Sequence, residues 1–261
     1  MIQERLDPDE IASFVGHKNA SRLSMLKVFN AIDSTNTYLL KEAKLGAASG
    51  SACFAEEQTQ GRGRLGRSWF SPPSANLYFS LLWRFDKPFR NSSGLSVAVG
   101  VIVVSALKKY GIQEGIQLKW PNDVLFAHRK LAGILLESND DQSVVIGIGL
   151  NLDVSPAAEK SWIDLAEITG QPPRRNHLAG LLLNELLEKL SIFEISGLHM
   201  FMQDWCSYDV LQDQPVKVMV HDKTMVGTAC GINENGELLV RDETEALHAF
   251  RYGEVSVRRC T

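Results

Sequence analysis

The spacing of apolar residues along the chain shifts between helical and strand-like periods, and each shift marks the edge of an element. "IDSTNTYLLKEAK" (32 to 44) reads as a helix with Ser34 or Thr35 as its N-cap, because a side-chain oxygen there takes up an orphan backbone N–H. "SACFAE" and "ANLYFSLLW" (75 to 83) read as strands on either side of a glycine- and arginine-rich loop. "LSVAVGVIVVSAL" (95 to 107) is apolar throughout and predicts a buried helix from about Gly94 to Tyr110, closed by Gly111 as its C-cap. "DVLF" (123 to 126), "KLAGILLES" (130 to 138) and "SVVIGIGLNL" (143 to 152) follow with short turns between them. Near-neighbour strands of that kind form hairpins, since parallel pairs need longer crossovers, so the sheet is expected to be antiparallel or mixed.

From Asn176 to Phe193, apolar positions 178, 181, 182, 186, 190 and 193 recur at helical spacing, predicting a helix with one face on the sheet. A shorter helix is expected at 197 to 208. Beyond Asp213 the runs shorten to "PVKVMV", "TMVGTACGI", "ELLVRD", "ALHAF" and "EVSVR", which read as a small β-barrel with its own core. The expected fold class is therefore α+β: a mixed or antiparallel sheet with packed helices over 1–212, then a barrel over 213–261.

Composition narrows the setting. Lys and Arg number 27 against 31 Asp and Glu, a net charge of −4 that gives no general affinity for nucleic acid or acidic membranes. Cysteines at 53, 206, 230 and 260 form no C-x-x-C pair, which argues for free thiols in a reducing, cytoplasmic compartment and against structural zinc. The opening "MIQERLDPDE" lacks the basic and apolar segments of an export signal. The apolar run at 95 to 107 is shorter than the about 20 residues that span a bilayer, so no membrane partner is expected.

Candidate chemistry begins at "GRGRLG" (61 to 66), a letter-for-letter match to the dinucleotide pattern G-x-G-x-x-G. That pattern needs a helix opening directly on the glycines, and Pro72 and Pro73 forbid one here. Arg62, Arg64 and Arg67 supply planar forks suited to carboxylate or phosphate, and the glycines let the backbone approach an anion; a solvated basic turn is the alternative. Trp69 packs in a core or walls a pocket. Further on, "KWPNDVLFAHRKLAGILLE" (119 to 137) crowds Lys119, Asn122, Asp123 and Lys130 beside an apolar strand, as a polar pocket or a hairpin with its charges in water. In "IGIGLN" (146 to 151) the paired glycines mark close approach of a ligand, or else a bulge or a tight packing contact. No Ser/His/Asp or Cys/His arrangement stands out. Fixed cations, glycines and one acid suit a reaction that builds charge on phosphate.

Taken in order, "DSTN", "EEQTQGRGRLGRSWFSPPSANLYFS", "LKWPNDVLFAHRKLAGILLE" and "IGIGLN", with a terminal barrel after them, resemble the biotin protein ligases over about residues 28 to 258. The resemblance implies a class II synthetase-like catalytic domain and an SH3-like C-terminal barrel. It implies a two-step reaction: biotin and Mg-ATP give biotinyl-5′-adenylate and pyrophosphate, then a lysine of a biotin carboxyl carrier domain, of acetyl-CoA carboxylase or a related carboxylase, displaces AMP. By match to the family's motifs, Ser34, Thr35 and Gln58 bind the biotin head, and Gly61, Arg62 and Arg64 form the loop that retains the adenylate. Trp69 closes the biotin site, Lys130 meets both carboxylate and α-phosphate, and Gly133, Gly147 and Gly149 are sites of close backbone approach. Arg67, Lys119, Asn122, Asn151, Trp162 and Arg258 fall on the ATP side, Asn151 and Trp162 as adenine contacts. Asp123 is matched to the metal and phosphate region and to acyl transfer.

Two departures stand out. Leu65 occupies a position where some members carry another arginine, and only about 28 residues precede "FNAIDSTN", too few for the DNA-binding module that some relatives carry. The expectation is a ligase without nucleic-acid binding. Monomer and homodimer both stay open, and a lipoate ligase or octanoyltransferase and a non-catalytic biotin sensor are the competing functions.

Overall fold

A computed structural model describes residues 4–89, 91–154, 161–220, 223–252 and 255–259. Helices α1 (Pro8–Ser13) and α2 (His17–Ala20) lead into strand β1 (Met25–Phe29), helix α3 (Thr35–Lys44) and strand β2 (Ser51–Ala55). Ser34 is the cap of α3, its Oγ accepting from the Thr37 N–H. A loop with one 3₁₀ turn at Arg64–Gly66 connects β2 to β3 (Asn76–Arg84), and α4 (Ser92–Tyr110) follows. Asn91 caps α4 through the Gly94 N–H, and Gly111, left-handed at φ 119°, ends it. Next come β4 (Ile116–Lys119), β5 (Asp123–Phe126), β6 (Arg129–Glu137) and β7 (Ser143–Asn151), then α5 (Leu165–Thr169), α6 (Arg175–Ser196) and α7 (His199–Tyr208).

The seven strands form one mixed sheet in the order β1-β2-β3-β7-β6-β5-β4, in which β1 and β2 pair in parallel and every other pair is antiparallel. Alternation along the strands gives each face its own partner. Val144, Ile146, Ile148 and Leu150 of β7 join the core that holds α4, while Val145 packs with Leu39 and Ala43 of α3.

Two expectations change here. Helix α6 packs on α4, not on the sheet, because α4 is buried on all sides and needs a second apolar cover beyond the strands. At 19 residues α4 is also long and apolar enough to cross a membrane, contrary to the length argument from 95 to 107; its side chains lie in the core between the sheet and α6.

The chain then enters a second, antiparallel sheet ordered β11-β10-β9-β8-β12, from β8 (Pro215–Val220), β9 (Lys223–Ile232), β10 (Leu238–Arg241), β11 (Leu247–Phe250) and β12 (Val255–Arg259). This is the SH3-like barrel unit. Its interior is not a separate core: Val216, Val218, Leu238, Val240, Val255 and Val257 belong to the same apolar cluster as α4 and β6. Trp120 Nε1 donates to the Gly236 carbonyl at 2.9 Å and the Tyr252 N–H to Ser93 Oγ at 2.8 Å, tying the two units together.

Candidate active site

The face of β6 and β7 that carries α3 is stripped of side chains at three points. Gly133 and Gly149 sit opposite each other across the two strands. A Cβ on Gly149 would lie 2.5 Å from Trp69 Cε2, one on Gly133 2.9 Å from Trp69 Cζ3, and one on Gly147 2.3 Å from Asn36 Oδ1. The glycines thus admit the protein's own Trp69 indole and Asn36 amide against the sheet, while all three also line the cavity described below.

A β-bulge places the lysine. Val124 pairs with Ala132 and Leu125 with Lys130, so Leu131 is the extra residue. Without it, Lys130 and Ala132 would share the core face; with it, Lys130 joins Gly133 on the cavity side. The bulge is secured from below: Lys130 N–H donates to the Ser161 carbonyl at 2.8 Å, its carbonyl accepts from the Ile163 N–H at 3.0 Å, and Asn151 Nδ2 donates to the Lys130 and Ile163 carbonyls.

Above this floor lies a cavity of ≈ 230 Å³ whose walls come from the loop after β2, the turn before β5, α3 and β12. Lys130 Nζ pairs with Asp123 Oδ1 at 2.6 Å and lies 5.2 Å from the centre of the Trp69 ring. Arg64 donates through Nη1 to Asn122 Oδ1 at 3.1 Å and through Nη2 to the Val255 carbonyl at 3.0 Å, with its guanidinium 4.7 Å from the Tyr252 ring. Burial lowers the Arg64 pKa from its ordinary value, against Tyr252 and Asp123. Arg64 Nε and Trp69 Nε1 are buried donors with no partner. An orphan of that kind costs about 1–3 kcal/mol.

A polar chain runs along one wall. Arg62 pairs with Glu137 at 2.8 Å, and Glu137 accepts from Asn36 Nδ2 at 2.8 Å. Ser80 Oγ lies 2.5 Å from Asn36 Oδ1 and 2.7 Å from Thr35 Oγ1. Gln58 Oε1 accepts from the Thr35 N–H and hydroxyl, and Gln58 Nε2 donates to Ser71 Oγ. Asn36, Ser80, Glu137 and Tyr252 escaped the sequence reading. Glu137 had one signal, an acid closing the apolar run "LAGILLE".

Of the residues singled out from sequence, Ser34, Thr35, Gln58, Arg62, Arg64, Arg67, Trp69, Lys119, Asn122, Asp123, Lys130, Gly133, Gly147, Gly149 and Arg258 line this cavity. Gly61, Asn151 and Trp162 do not. Gly61 closes the neck of the loop, where a Cβ would meet Ser71 Oγ at 2.4 Å and its carbonyl accepts from the Trp69 N–H. Asn151 is buried under the bulge with both carbonyl contacts described above, and Trp162 stacks on Phe70 with centroids 6.4 Å apart. Six cations, Arg62, Arg64, Arg67, Lys119, Lys130 and Arg258, face one carboxylate, Asp123, among the lining residues. In a chain of net charge −4 this is a local anion site. Cys53, Cys206 and Cys230 are free, while Cys260 lies outside the described residues.

Residues 28–153 match the Biotin/lipoate A/B protein ligase family, and residues 213–258 match the Biotin protein ligase C terminal domain. The chain is 38% identical over 262 residues to the Bifunctional ligase/repressor BirA of Salmonella typhimurium, spanning 97% of this chain and 78% of that protein. It is 30% identical over 227 residues to the Biotin--[acetyl-CoA-carboxylase] ligase of Paracoccus denitrificans, spanning 80% of this chain and 91% of that one. The solved structure of the biotin protein ligase from Aquifex aeolicus in complex with biotin and ATP superposes with a TM-score of 0.80 at 32% identity, covering 90% of this chain and 99% of that chain. The chain belongs to the biotin/lipoate A/B protein ligase family. Within that family it is a biotin ligase enzyme.

Proposed function

We propose that the cavity activates biotin with ATP to biotinyl-5′-adenylate and then passes the biotinyl group to a lysine of a carboxyl carrier domain. The observation that carries this reading is the six-to-one excess of cations over a floor made of Trp69 and opposed glycines. A biotin carboxylate oxygen attacks the α-phosphorus and pyrophosphate leaves, so two anions must meet. Like charges 4 Å apart repel by about 4 kcal/mol near a protein surface. Lys130, between carboxylate and phosphate, offsets that repulsion, and Arg62, Arg64 and Arg67 spread it.

Trp69 supplies the apolar wall for the biotin body, and Ser34, Thr35 and Gln58 meet its polar head. Lys119, Asn122 and Arg258 lie towards the nucleotide, with Trp162 and Phe70 at the adenine end. Asn151 acts on this end through the 161–163 segment it holds. In the second step the carrier's amine attacks the acyl carbon, the bond to AMP breaks, and Asp123 accepts the proton the amine loses. Asp123 is the carboxylate in the cavity lining that would hold Mg²⁺, since magnesium binds through one or two carboxylates and substrate phosphates. When bound, the ion would screen the phosphate charge. The boundary between units falls at 212/213, where Asp213 turns at φ 57° before β8. Free cysteines suit a reducing, cytoplasmic setting.

Biotin-dependent ATP–pyrophosphate exchange tests the first step. The expected result is exchange with biotin and none with lipoate. A folded protein that gives no exchange overturns the proposal. Mass spectrometry of a carrier domain incubated with the protein, biotin and Mg-ATP tests the second.

A further inference from the structure

The C-terminal unit contributes more to the cavity than its lining positions on β12. Tyr252, in the turn between β11 and β12, touches three separate parts of the catalytic unit. Its ring lies against the Arg64 guanidinium at 4.7 Å, its hydroxyl accepts from the Leu136 N–H of β6 at 3.1 Å, and its own N–H donates to Ser93 Oγ at the start of α4. Arg64 in turn spends Nη2 on the Val255 carbonyl of the same unit. The loop after β2 carries no α-helix or strand to stiffen it, and Leu65 beside Arg64 is left-handed at φ 55° and exposed. The loop's own bonds, Gly63 N–H to the Arg67 carbonyl at 2.7 Å and Arg67 N–H to the Arg64 carbonyl at 3.2 Å, hold its main chain, but the guanidinium of Arg64 takes its partners, Asn122, Val255 and Tyr252, from outside the loop.

We infer that Tyr252 is a positioning residue that holds Arg64 over the reacting groups, so that the C-terminal unit sets how tightly the activated intermediate is kept. The inference rests on the adenylate-forming role proposed for Arg64. A flat aromatic face attracts a guanidinium without competing for its N–H donors, so Nη1 stays on Asn122 and Nη2 on the Val255 carbonyl. The hydroxyl, fixed on Leu136, keeps the ring from swinging away with its turn. A tyrosine at this place thus joins the glycine-arginine loop to the strand that carries Lys130.

The test compares the full chain with Tyr252→Leu, Tyr252→Phe, Arg64→Ala and the Tyr252→Leu/Arg64→Ala double variant. Each is loaded with biotin and Mg-ATP, and the release rate of the biotinyl-adenylate is followed after a chase with unlabelled biotin. Tyr252→Phe keeps the ring but loses the hydroxyl's hold on Leu136 and is expected to release about threefold faster than the parent, whereas Tyr252→Leu releases on the order of tenfold faster, the scale of a desolvated cation–π contact. In the Arg64→Ala background, Tyr252→Leu should add nothing, because the group it acts through is gone. An equal further loss in the double variant would show a merely structural role and overturn the inference. Slower release or faster adenylate synthesis in Tyr252→Leu would overturn it too, since the ring would then be holding Arg64 away from the substrates. Thermal midpoints of all four variants and the parent separate these outcomes from misfolding. A parent protein that makes no adenylate would defeat the proposed function itself, a result distinct from parent-like release in Tyr252→Leu.

Discussion

Lys130 faces both the only carboxylate lining the cavity among the described residues and the face of Trp69, at 2.6 Å and 5.2 Å. Lys130→Ala removes the cation from between the reacting anions and leaves Asp123 uncompensated beside them. Adenylate synthesis in a single turnover is expected to fall on the order of 10²–10³-fold, the scale of losing one preorganised stabilising group. A near-parental rate would assign the stabilisation to the loop arginines instead. Gly149→Ala probes the floor: its Cβ would lie 2.5 Å from Trp69 Cε2, so the indole must leave the sheet. Biotin affinity by calorimetry should weaken about tenfold, as expected for losing roughly 1.4 kcal/mol of apolar contact, and unchanged affinity would mean that Trp69 does not wall the biotin site. These positions were legible in the sequence because a glycine interrupting an apolar strand, or a lysine beside one, is conspicuous. Their reasons were not legible. No local pattern says that Gly147 makes room for Asn36, or that Glu137, a hundred residues along the chain from Asn36, completes the same polar chain.

At the scale of elements, periodicity found α4, α6, β3 and β7, because long apolar runs have few other solutions. It passed over β1, whose "MLKVF" has a lysine at its centre and sits on the sheet edge. It also sent α6 to the sheet, since a stripe of leucines shows that a helix has an apolar face but not which element receives it. The bulge at Leu131 was beyond the reach of spacing, because its phase change is defined by the partner strand. Asn151 holds that bulge, so Asn151→Ala is expected to cost about 1–3 kcal/mol in a denaturant melt and to lower kcat through Lys130. A raised KM for ATP at unchanged stability would return Asn151 to the adenine contact implied by resemblance.

Between α4 and α6, fully buried Glu185 accepts from Ser105 and pairs with Lys109 and Lys189. Burial alone would raise its carboxyl pKa, but these three partners together hold it below the usual carboxylate value. A depressed folded-state pKa means stability that is present above the unfolded pKa, about 4.3, and lost as pH falls through the folded value. Glu185→Gln should therefore lower the thermal midpoint at pH 7 and flatten its decline between about pH 5 and 3. A parallel decline in both proteins would remove Glu185 from the acid response.

For the whole molecule, the change in strand length beyond Asp213 marks the strands of the second sheet, but no spacing shows that the two sheets share one apolar cluster. The junction is tight at Gly236, left-handed at φ 76°, where an added Cβ would lie 2.7 Å from Gly94 Cα and 2.8 Å from Gly94 N. Those are backbone atoms at the capped start of α4, fixed by Asn91, so they have no side-chain freedom with which to give way. Gly236→Ala must then separate the units or strain the turn, and either change loosens the bond from Trp120 Nε1 to the Gly236 carbonyl. Val255, Val257 and Arg258 line the cavity, and Arg64 is anchored on Val255, so displacement of the second sheet opens the site from the side of β12. Calorimetry of the parent is expected to give one cooperative transition, as a shared core requires, and Gly236→Ala a lower midpoint with a separate early transition for the C-terminal unit. Adenylate release should quicken in the same variant well below its first transition. If release kept the parent rate while the midpoint fell, the junction would serve stability alone, and closure of the cavity would have to come from the loop after β2 without help from the barrel.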